Sequence, residues 1–215
     1  MNYPVDMTKP WYHGSPFAID MLREGSTITQ WKELAEAFAT KPAMLGYDEI
    51  HGNIFHSGTE KGILYAVDEP LTMDVDLYQH PRTTMDQGVE FLTKRPLTLK
   101  RLSPLSPKEV LSQFVALFNA ANAEGLSELY ADNAVNHQVA NEPVVGKAAI
   151  YQMFVAEFAA AEMVCIVENM FEDGEWAIME WKDPKGLRGC GFFHVVDGKI
   201  VMQRGYWDKL SFMNG

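Results

Sequence analysis

The chain has 215 residues, 47% of them hydrophobic, and a formal net charge of -11 at pH 7. This length and apolar content allow two modest hydrophobic cores, so we expect two domains. Residues 1–102 contain 10 basic and 14 acidic side chains, and residues 103–215 contain 8 and 15. Because both halves are acidic, neither offers the basic surface that binds a phosphate backbone, and nucleic acid is not an expected partner.

The cysteines and the first residues of the chain bear on its compartment. Cys165 and Cys190 lie inside apolar, strand-like runs and not in a Cys-x-x-Cys motif. This placement predicts free thiols in a reducing compartment. The segment MNYPVDMTKP lacks the charged and apolar regions of a secretion signal, and no apolar stretch reaches about 18 residues. We therefore expect a cytoplasmic protein with no membrane partner.

The first half of the chain alternates short apolar runs with one helix-like segment. Tyr12-His13-Gly14 opens an apolar run, and QWKELAEAFATKP has the spacing of a helix. The later runs GILYAVDEP, DVDLYQHP and GVEFLTKRPLTLKRL are strand-like. These segments predict a small α+β domain over residues 1–102.

In order and spacing, the YHG run, the ILYAVDEP strand and the acidic DVDL segment resemble the rifampin ADP-ribosyltransferase family. The resemblance implies that NAD is a substrate of this domain. His13 would hold the ribose, and Gly14 would admit the dinucleotide. An acidic residue would stabilise the positive charge that develops at the ribosyl carbon. Asp76 matches that role best, with Asp74 and Glu90 as competitors.

Other interpretations of these residues stay open. The nicotinamide-stacking tyrosine of that family would fall near Ile28, and this chain has no tyrosine there. His13 equally fits a capping histidine before a Gly-Ser-Pro turn. Glu90 equally fits a surface residue on a half-exposed strand.

The two halves are joined by a Ser-Pro-rich segment at 103–107, which we interpret as a linker. A residue that precedes proline is biased away from helix. Ser106 can cap the helix that follows, with Pro107 at its first position and Glu109 three residues after the cap. The second domain is therefore expected to span residues 108–215.

The second half reads as helices followed by a meander of strands. Val110, Phe114, Leu117 and Phe118 recur at helical spacing, and another apolar helix runs from Lys147 to about Ala160. Asp173-Gly174 and Asp197-Gly198 each separate two apolar runs, a strong signal for a two-residue hairpin turn. The pattern predicts an α+β fold with helices packed on a curved antiparallel sheet.

The predicted turns also assign side chains to faces. A turn at Asp197-Gly198 pairs Val196 with Lys199, and one at Asp173-Gly174 pairs Glu168 with Met179. The opposite face of the last hairpin is apolar, which favours a dimer interface formed by Phe193, Val195, Ile200 and Met202. The mixed polar and aromatic face suits a ligand cavity lined by Trp181, Arg188, Phe192, His194, Gln203 and Trp207.

The segment AVNHQVANEPVVG, the VVGKAAI helix start and the closing GKI and RGYWD runs resemble ketosteroid isomerases and SnoaL-type cyclases. The resemblance covers the whole second half and implies the cone-shaped α+β fold of the nuclear transport factor 2-like superfamily. His137, nine residues before Gly146, stands where that family carries its catalytic carboxylate. It would be the proton acceptor of the site, since its ordinary pKa of about 6.5 suits proton transfer near neutrality.

The same resemblance weakens two specific reactions. The oxyanion-hole tyrosine of ketosteroid isomerases would fall at Phe114, and the protonated aspartate near Gly191 or Phe192, so both donors are missing. From this pocket position, Phe114 is expected to contact the substrate. The related epoxide hydrolases carry an arginine near the position of Trp181 and an aspartate near that of Asp183. Their second aspartate lies at the position of Gly205. Only Asp183 is retained, and it is a second catalytic candidate.

Three functions therefore remain open for the chain. The first is a SnoaL-like isomerase, cyclase or hydrolase that acts on a hydrophobic small molecule without a cofactor. The second is a non-catalytic module that binds a ligand or assembles as a homodimer. The third is a transferase that consumes NAD through His13 and Asp76, with the second domain serving dimerisation or substrate binding. No metal site is predicted, because no ligand cluster has tight spacing.

Overall fold

The structure, a computed structural model, describes residues 3–48, 51–139 and 141–208. It divides into two units, Met1–Ser103 and Pro104–Gly215. Within the described ranges, no helix combines the length and the apolar character needed to cross a bilayer.

The first unit is built from short strands and one helix. Its described elements are β1 (Tyr12–Ser15), β2 (Met21–Leu22), β3 (Thr27–Ile28), α1 (Lys32–Ala39), β4 (Leu45–Tyr47), β5 (Ile54–His56), β6 (Ile63–Val67), β7 (Leu77–Gln79), β8 (Phe91–Thr93) and β9 (Leu97–Arg101). The strands form sheets in the orders β1-β6-β9-β2 and β3-β8-β7, and β4 pairs with β5. A core around Trp11, Leu22 and Phe91 packs within this unit.

The second unit is a layer of helices on one six-stranded sheet, which confirms its predicted α+β class. Its described elements are α2 (Pro107–Asn119), α3 (Ala123–Glu128), β10 (Tyr130–Gln138), β11 (Val144–Val145), α4 (Lys147–Ala160), β12 (Ile166–Asp173), β13 (Trp176–Lys182), β14 (Arg188–Val196) and β15 (Lys199–Trp207). The strand order is β11-β10-β15-β14-β13-β12. All neighbours are antiparallel except β10 and β15, which run parallel.

The two predicted helix starts are confirmed. The hydroxyl of Ser106 accepts a hydrogen bond from the backbone N–H of Glu109, and the Glu109 carboxylate accepts one from the Ser106 N–H. These two bonds satisfy donors that a helix N-terminus leaves open. Helix α4 spans Lys147–Ala160, as the apolar spacing predicts.

The register of the last hairpin differs from the prediction after its first pair. Val196 lies opposite Lys199 as expected, but β15 then carries one extra residue, Val201, in a β-bulge. His194 therefore lies opposite Met202, not Val201, and Gln203 lies opposite Phe193, not Phe192. Because side chains alternate along a strand, one added residue sends the following side chains to the other face.

The β12–β13 hairpin is shifted by two residues from the prediction. Its two turn residues are Gly174 and Glu175, so Met179 lies opposite Met170 and not opposite Glu168. A shift of two preserves the face of each side chain. Trp181 therefore keeps its predicted face.

We call the sheet face covered by the helices the inner face and the opposite side the outer face. Phe193 and Val195 are 1% and 3% exposed and lie on the inner face in the core of the unit, as does Ile200. The prediction that these three side chains form an exposed dimer interface is wrong. They do share one face, as predicted, but that apolar face is the one that the helices cover. The bulge affects only the β15 residues that follow Val201, and it places Met202 on the outer face opposite His194.

Candidate functional site

His137 lies on the outer face of the sheet. Its neighbour Asn136 is 1% exposed and points inward, and the two side chains alternate along β10. His137 pairs with Arg204, which is exposed, and Arg204 pairs with Phe192. His137 therefore does not line the inner face, contrary to the prediction from its position in the family pattern.

The other predicted residues divide between the two faces. On the inner face lie Gln203, Trp181 and Trp207, while Phe114 packs from α2 against Phe193 with ring centroids 5.2 Å apart. Three residues predicted for the cavity lie on the outer face because of the bulge and the strand alternation, namely Arg188, Phe192 and His194.

The polar residues of the outer face have local partners. His194 stacks on Trp176, with centroids 4.6 Å apart, and its Nε2 lies 2.9 Å from the Glu175 carboxylate. An Arg188 guanidinium nitrogen lies 2.9 Å from Glu168. These contacts are typical of a solvated sheet surface.

Asp183 closes the turn that follows β13. Its carboxylate accepts hydrogen bonds from the backbone N–H groups of Lys185, at 2.9 Å, and Leu187, at 2.8 Å. This is the ordinary role of aspartate in a turn. The prediction that Asp183 acts as a catalytic carboxylate at the inner face is not supported by this position.

A hydrogen-bonded group of polar side chains occupies the inner face. The Tyr130 hydroxyl donates to Gln203 Oε1, and Asn136 Nδ2 donates to the same oxygen at 3.1 Å. Gln138 Nε2 in turn donates to Asn136 Oδ1 at 3.0 Å. Burial raises the pKa of Tyr130 well above its usual range, so its hydroxyl stays protonated. We call these four residues the interior polar group.

Three positions beside the interior polar group have no side chain. Gly189 and Gly191 on β14 and Gly205 on β15 share the inner face. A Cβ atom at these positions would overlap the Trp181 indole, the Phe193 ring and the Gln138 amide, respectively. Glycine inside a strand often marks a place where another group approaches closely. At Gly205 that group is the end of the Gln138 side chain, whereas at Gly189 it is the Trp181 indole together with the Tyr206 backbone carbonyl.

Helix α4 faces this region with a carboxyl group. Glu157 is half-buried, and burial raises its pKa. Phe154, three residues earlier on the same helix, has its ring centroid 6.2 Å from that of Tyr130, and the charge of Glu157 acts to raise the pKa of Tyr130. Glu157 can therefore hold a proton at a higher pH than an exposed glutamate does.

A groove of about 540 Å³ opens at the ends of the last strands. It brings together three residues that the sequence predicts for substrate binding, Trp181, Arg188 and Trp207. Cys190 and Glu180 also line it. Burial, with the nearby charge of Glu180, raises the pKa of the Cys190 thiol, which argues against a reactive thiolate.

The first unit has a smaller cavity of about 230 Å³ around His13. His13 Nδ1 donates to the Thr27 carbonyl oxygen at 2.8 Å, which leaves Nε2 as an acceptor. Burial lowers the pKa of His13 more than this hydrogen bond raises it, so the ring is neutral near pH 7. Glu90 and Phe38 line the same cavity.

Two residues predicted to bind NAD have structural contacts instead. A Cβ atom at Gly14 would overlap the Ala35 carbonyl oxygen, so Gly14 permits α1 to pack against β1. Asp76 does not line the His13 cavity: its carboxylate binds Arg95 Nε at 2.7 Å and the Thr72 N–H at 2.7 Å. Glu90, the competing candidate, is the acidic residue beside His13.

Sequence reasoning missed Tyr130, Asn136, Gln138 and Glu157. The signal for Glu157 is present in the sequence, because it stands seven residues after Ile150 and three after Phe154 on the apolar stripe of α4. A carboxylate at such a position is unusual. No comparable signal marks the residues of β10, whose facing depends on pairing with β15. Across the described ranges, no three metal-ligating side chains lie close enough to hold a metal ion.

The family model for the SnoaL-like domain matches residues 111–203, so the second unit contains a SnoaL-like domain. A search among curated proteins finds no match to the chain.

Solved structures of low sequence identity resemble about half of the chain. One is an NTF2-like protein of unknown function from Cytophaga hutchinsonii, with 15% identity and a TM-score of 0.45, covering 52% of this chain and 98% of that one. An LEH-like epoxide hydrolase of M. tuberculosis has 17% identity and a TM-score of 0.46, with 50% and 86% coverage. The epoxide hydrolase/cyclase-like enzyme SalBIII has 18% identity and a TM-score of 0.45, with 49% and 92% coverage.

Proposed function

We propose that the second unit binds a largely apolar small molecule on the inner face of its sheet. The observation that carries this proposal is the set of inner-face glycines at 189, 191 and 205 beside the interior polar group. Small-molecule sites combine an apolar wall with a few placed polar groups. Here Trp181 and Met170 supply partly buried apolar surface, and Gln138 and Gln203 supply amides.

Most residues that line the groove at the strand ends lie on the outer face, among them Glu180, Cys190 and Tyr206, but two of its lining residues connect it to the inner face. Trp181 and Gly189 belong both to the inner face and to the lining of the groove. The Trp181 indole lies over Gly189 at that point. A change in the Trp181 rotamer would therefore uncover the Gly189 backbone and extend the groove toward Gly191.

Binding at this site can be tested with indane, an apolar bicyclic hydrocarbon. We would add it to the ¹⁵N-labelled full chain and follow the indole Nε1–H signals, assigned with Trp181→Phe and Trp176→Phe variants. The expected result is a saturable shift of the Trp181 signal. Trp176 is the matched control, because it lies on the same strand but on the outer face. No shift at saturating indane, or a shift of Trp176 alone, would overturn the proposal.

The cavity of the first unit supports a second candidate function, binding of a nucleotide such as NAD. The supporting observation is that His13 and Glu90 line one cavity. The resemblance to rifampin ADP-ribosyltransferases implies that a histidine holds the ribose of NAD and that an acidic residue lies near it. The cavity has room for about one ring system and no basic residue in its lining, so the phosphates would lie outside it. If this unit is catalytic, the corresponding activity is ADP-ribosyl transfer from NAD, with Glu90 in the role that the sequence analysis gave to Asp76.

Calorimetry with NAD tests this second candidate. Binding should be lost in Glu90→Gln and kept in Glu24→Gln, which changes an exposed carboxylate of the same unit. Equal affinity in the two variants, or no heat at millimolar NAD with folded protein, would count against it.

We also propose that the chain forms a homodimer through the outer face, with a different set of residues from the one expected. Phe171, Tyr206 and Trp176 are 56%, 43% and 36% exposed there, beside half-buried Phe192 and Ile178. An apolar surface of this kind is commonly covered by a second subunit. Cytoplasmic localisation stays a prediction from the sequence.

A further inference from the structure

Glu157 occupies a position on α4 where an apolar residue would be expected. Ile150 and Phe154 on the same stripe are 0% and 2% exposed and belong to the core. The Phe154 ring lies 6.2 Å from the Tyr130 ring and 5.9 Å from the Phe158 ring. Glu157 follows Phe154 by three residues and so projects toward the same region.

Among the described residues, Glu157 has no cationic partner. Within the part of the chain that the structure describes, Glu157 makes no ion pair or side-chain hydrogen bond, and burial accounts for the rise in its pKa. The titratable group that faces it from β10 is Tyr130. On α3, Glu124 is exposed, and Glu128 is bound to Lys147 at the start of α4, 2.7 Å away.

The interior polar group presents a second hydrogen-bond donor to this region. Gln203 Oε1 accepts from Tyr130 and from Asn136 Nδ2, which fixes the orientation of the Gln203 amide. Its Nε2 then points away from those two donors, and no described residue accepts a hydrogen bond from it. A protonated carboxyl group and an amide NH₂ both offer hydrogens, so together they select an acceptor oxygen.

We propose that Glu157 is the proton donor of the inner-face site and that, in its neutral form, it binds the carbonyl oxygen of a largely apolar ligand. This assignment rests on the function proposed for the inner face. It gives the ligand one polar end, held near Glu157 and Gln203, and an apolar body placed over Gly191 and Gly205. A carboxylic acid kept neutral by burial can donate in this way, whereas its ionised form can only accept.

A pair of probes that differ by one carbonyl group tests the assignment. We would measure the affinities of 1-indanone and indane for the full chain, below and above the pKa of Glu157 found by ¹³C NMR titration of labelled glutamate. In the unchanged protein, 1-indanone should bind about tenfold more tightly than indane at low pH, as expected for one hydrogen bond. This preference should decrease as Glu157 ionises, to the part that the Gln203 amide supplies.

Two variants separate the donor from the rest of the site. Glu157→Leu should keep only the weaker, pH-independent preference that the Gln203 amide supplies. Glu157→Gln should keep the full preference without its pH dependence, because an amide still donates. Glu162→Gln changes an exposed carboxyl group beyond the end of the same helix and should behave like the unchanged protein. Circular dichroism of each variant confirms that it is folded.

The outcomes distinguish this assignment from the proposal on which it rests. If neither probe binds, the inner-face function itself fails and the assignment fails with it. If indane binds but Glu157→Leu keeps the full, pH-dependent preference for 1-indanone, binding on the inner face stands and the role of Glu157 is overturned. A ¹³C titration in which no glutamate signal responds to 1-indanone would also overturn it.

Discussion

Replacing Phe193 with alanine tests the side-chain orientation on β14, on which the location of the site depends. Phe193 is 1% exposed, and its ring packs 5.2 Å from Phe114 in the core of the second unit. Truncation of a buried phenylalanine typically costs about 3–5 kcal/mol, because apolar burial is lost and a cavity remains. The adjacent Phe192 is the matched control: it lies half-buried on the outer face, so its truncation should cost less than half as much.

Native-state hydrogen exchange of the full chain measures both variants in the second unit alone. The free energy of exchange at slow amides of β13 and β14 reports opening of that unit, and the first unit should not change. The face assignment predicted from the sequence, with Phe192 in the cavity, would instead place Phe192 inward and Phe193 outward. A larger loss of stability in Phe192→Ala than in Phe193→Ala would therefore refute the inner and outer faces assigned to β14.

Three further predictions concern other parts of the molecule. Burial raises the pKa of Glu157 in the folded state, so its contribution to stability is full below the unfolded-state pKa and is lost as pH rises through the folded-state value. Glu157→Gln should remove that decline in a series of urea unfolding curves, and an unchanged pH profile would argue against the burial of this group. Ile178→Glu on the outer face should convert a dimer to a monomer in sedimentation at micromolar concentration, and an intact dimer would exclude this interface. Gly14→Ala should destabilise the first unit by about 1–3 kcal/mol through overlap with α1, seen as faster amide exchange in β1, and no change there would contradict the close packing.

The parts of the fold set by local signals could be predicted from the sequence. The Ser106 capping box and the Lys147–Ala160 helix depend on residues within a few positions of each other, and both are confirmed. The Val196–Lys199 pair beside the Asp197-Gly198 turn is confirmed for the same reason. Hydrogen bonds and turn geometry inside a short segment determine each of these features.

The candidate site could not be predicted in the same way, because it depends on pairing between distant strands. No local signal marks Val201 as an additional residue, yet this one residue places Gln203 and Trp207 on the opposite face from Phe192 and His194. The facing of Asn136 and His137 is set by the parallel pairing of β10 with β15, which the sequence analysis did not anticipate. The family pattern favoured His137 as the proton acceptor, but the residue of β10 that points inward is its neighbour Asn136.

In the first unit, the acidic residue that shares a cavity with His13 also depends on contacts between distant segments. His13 lies on β1, and Glu90 lies immediately before β8. Both residues line the same cavity, although they are far apart in the sequence. The family pattern favoured Asp76, whose carboxylate is bound by Arg95 instead. Sequence order identified the region but not the acidic side chain that faces His13.

A crystal structure of the full chain soaked with 1-indanone would locate the site most directly. We predict density for the ring on the inner face over Gly191 and Gly205, with its oxygen within hydrogen-bonding distance of Glu157 or Gln203. Density on the outer face, beside His137, with the inner face unchanged, would contradict the location derived above.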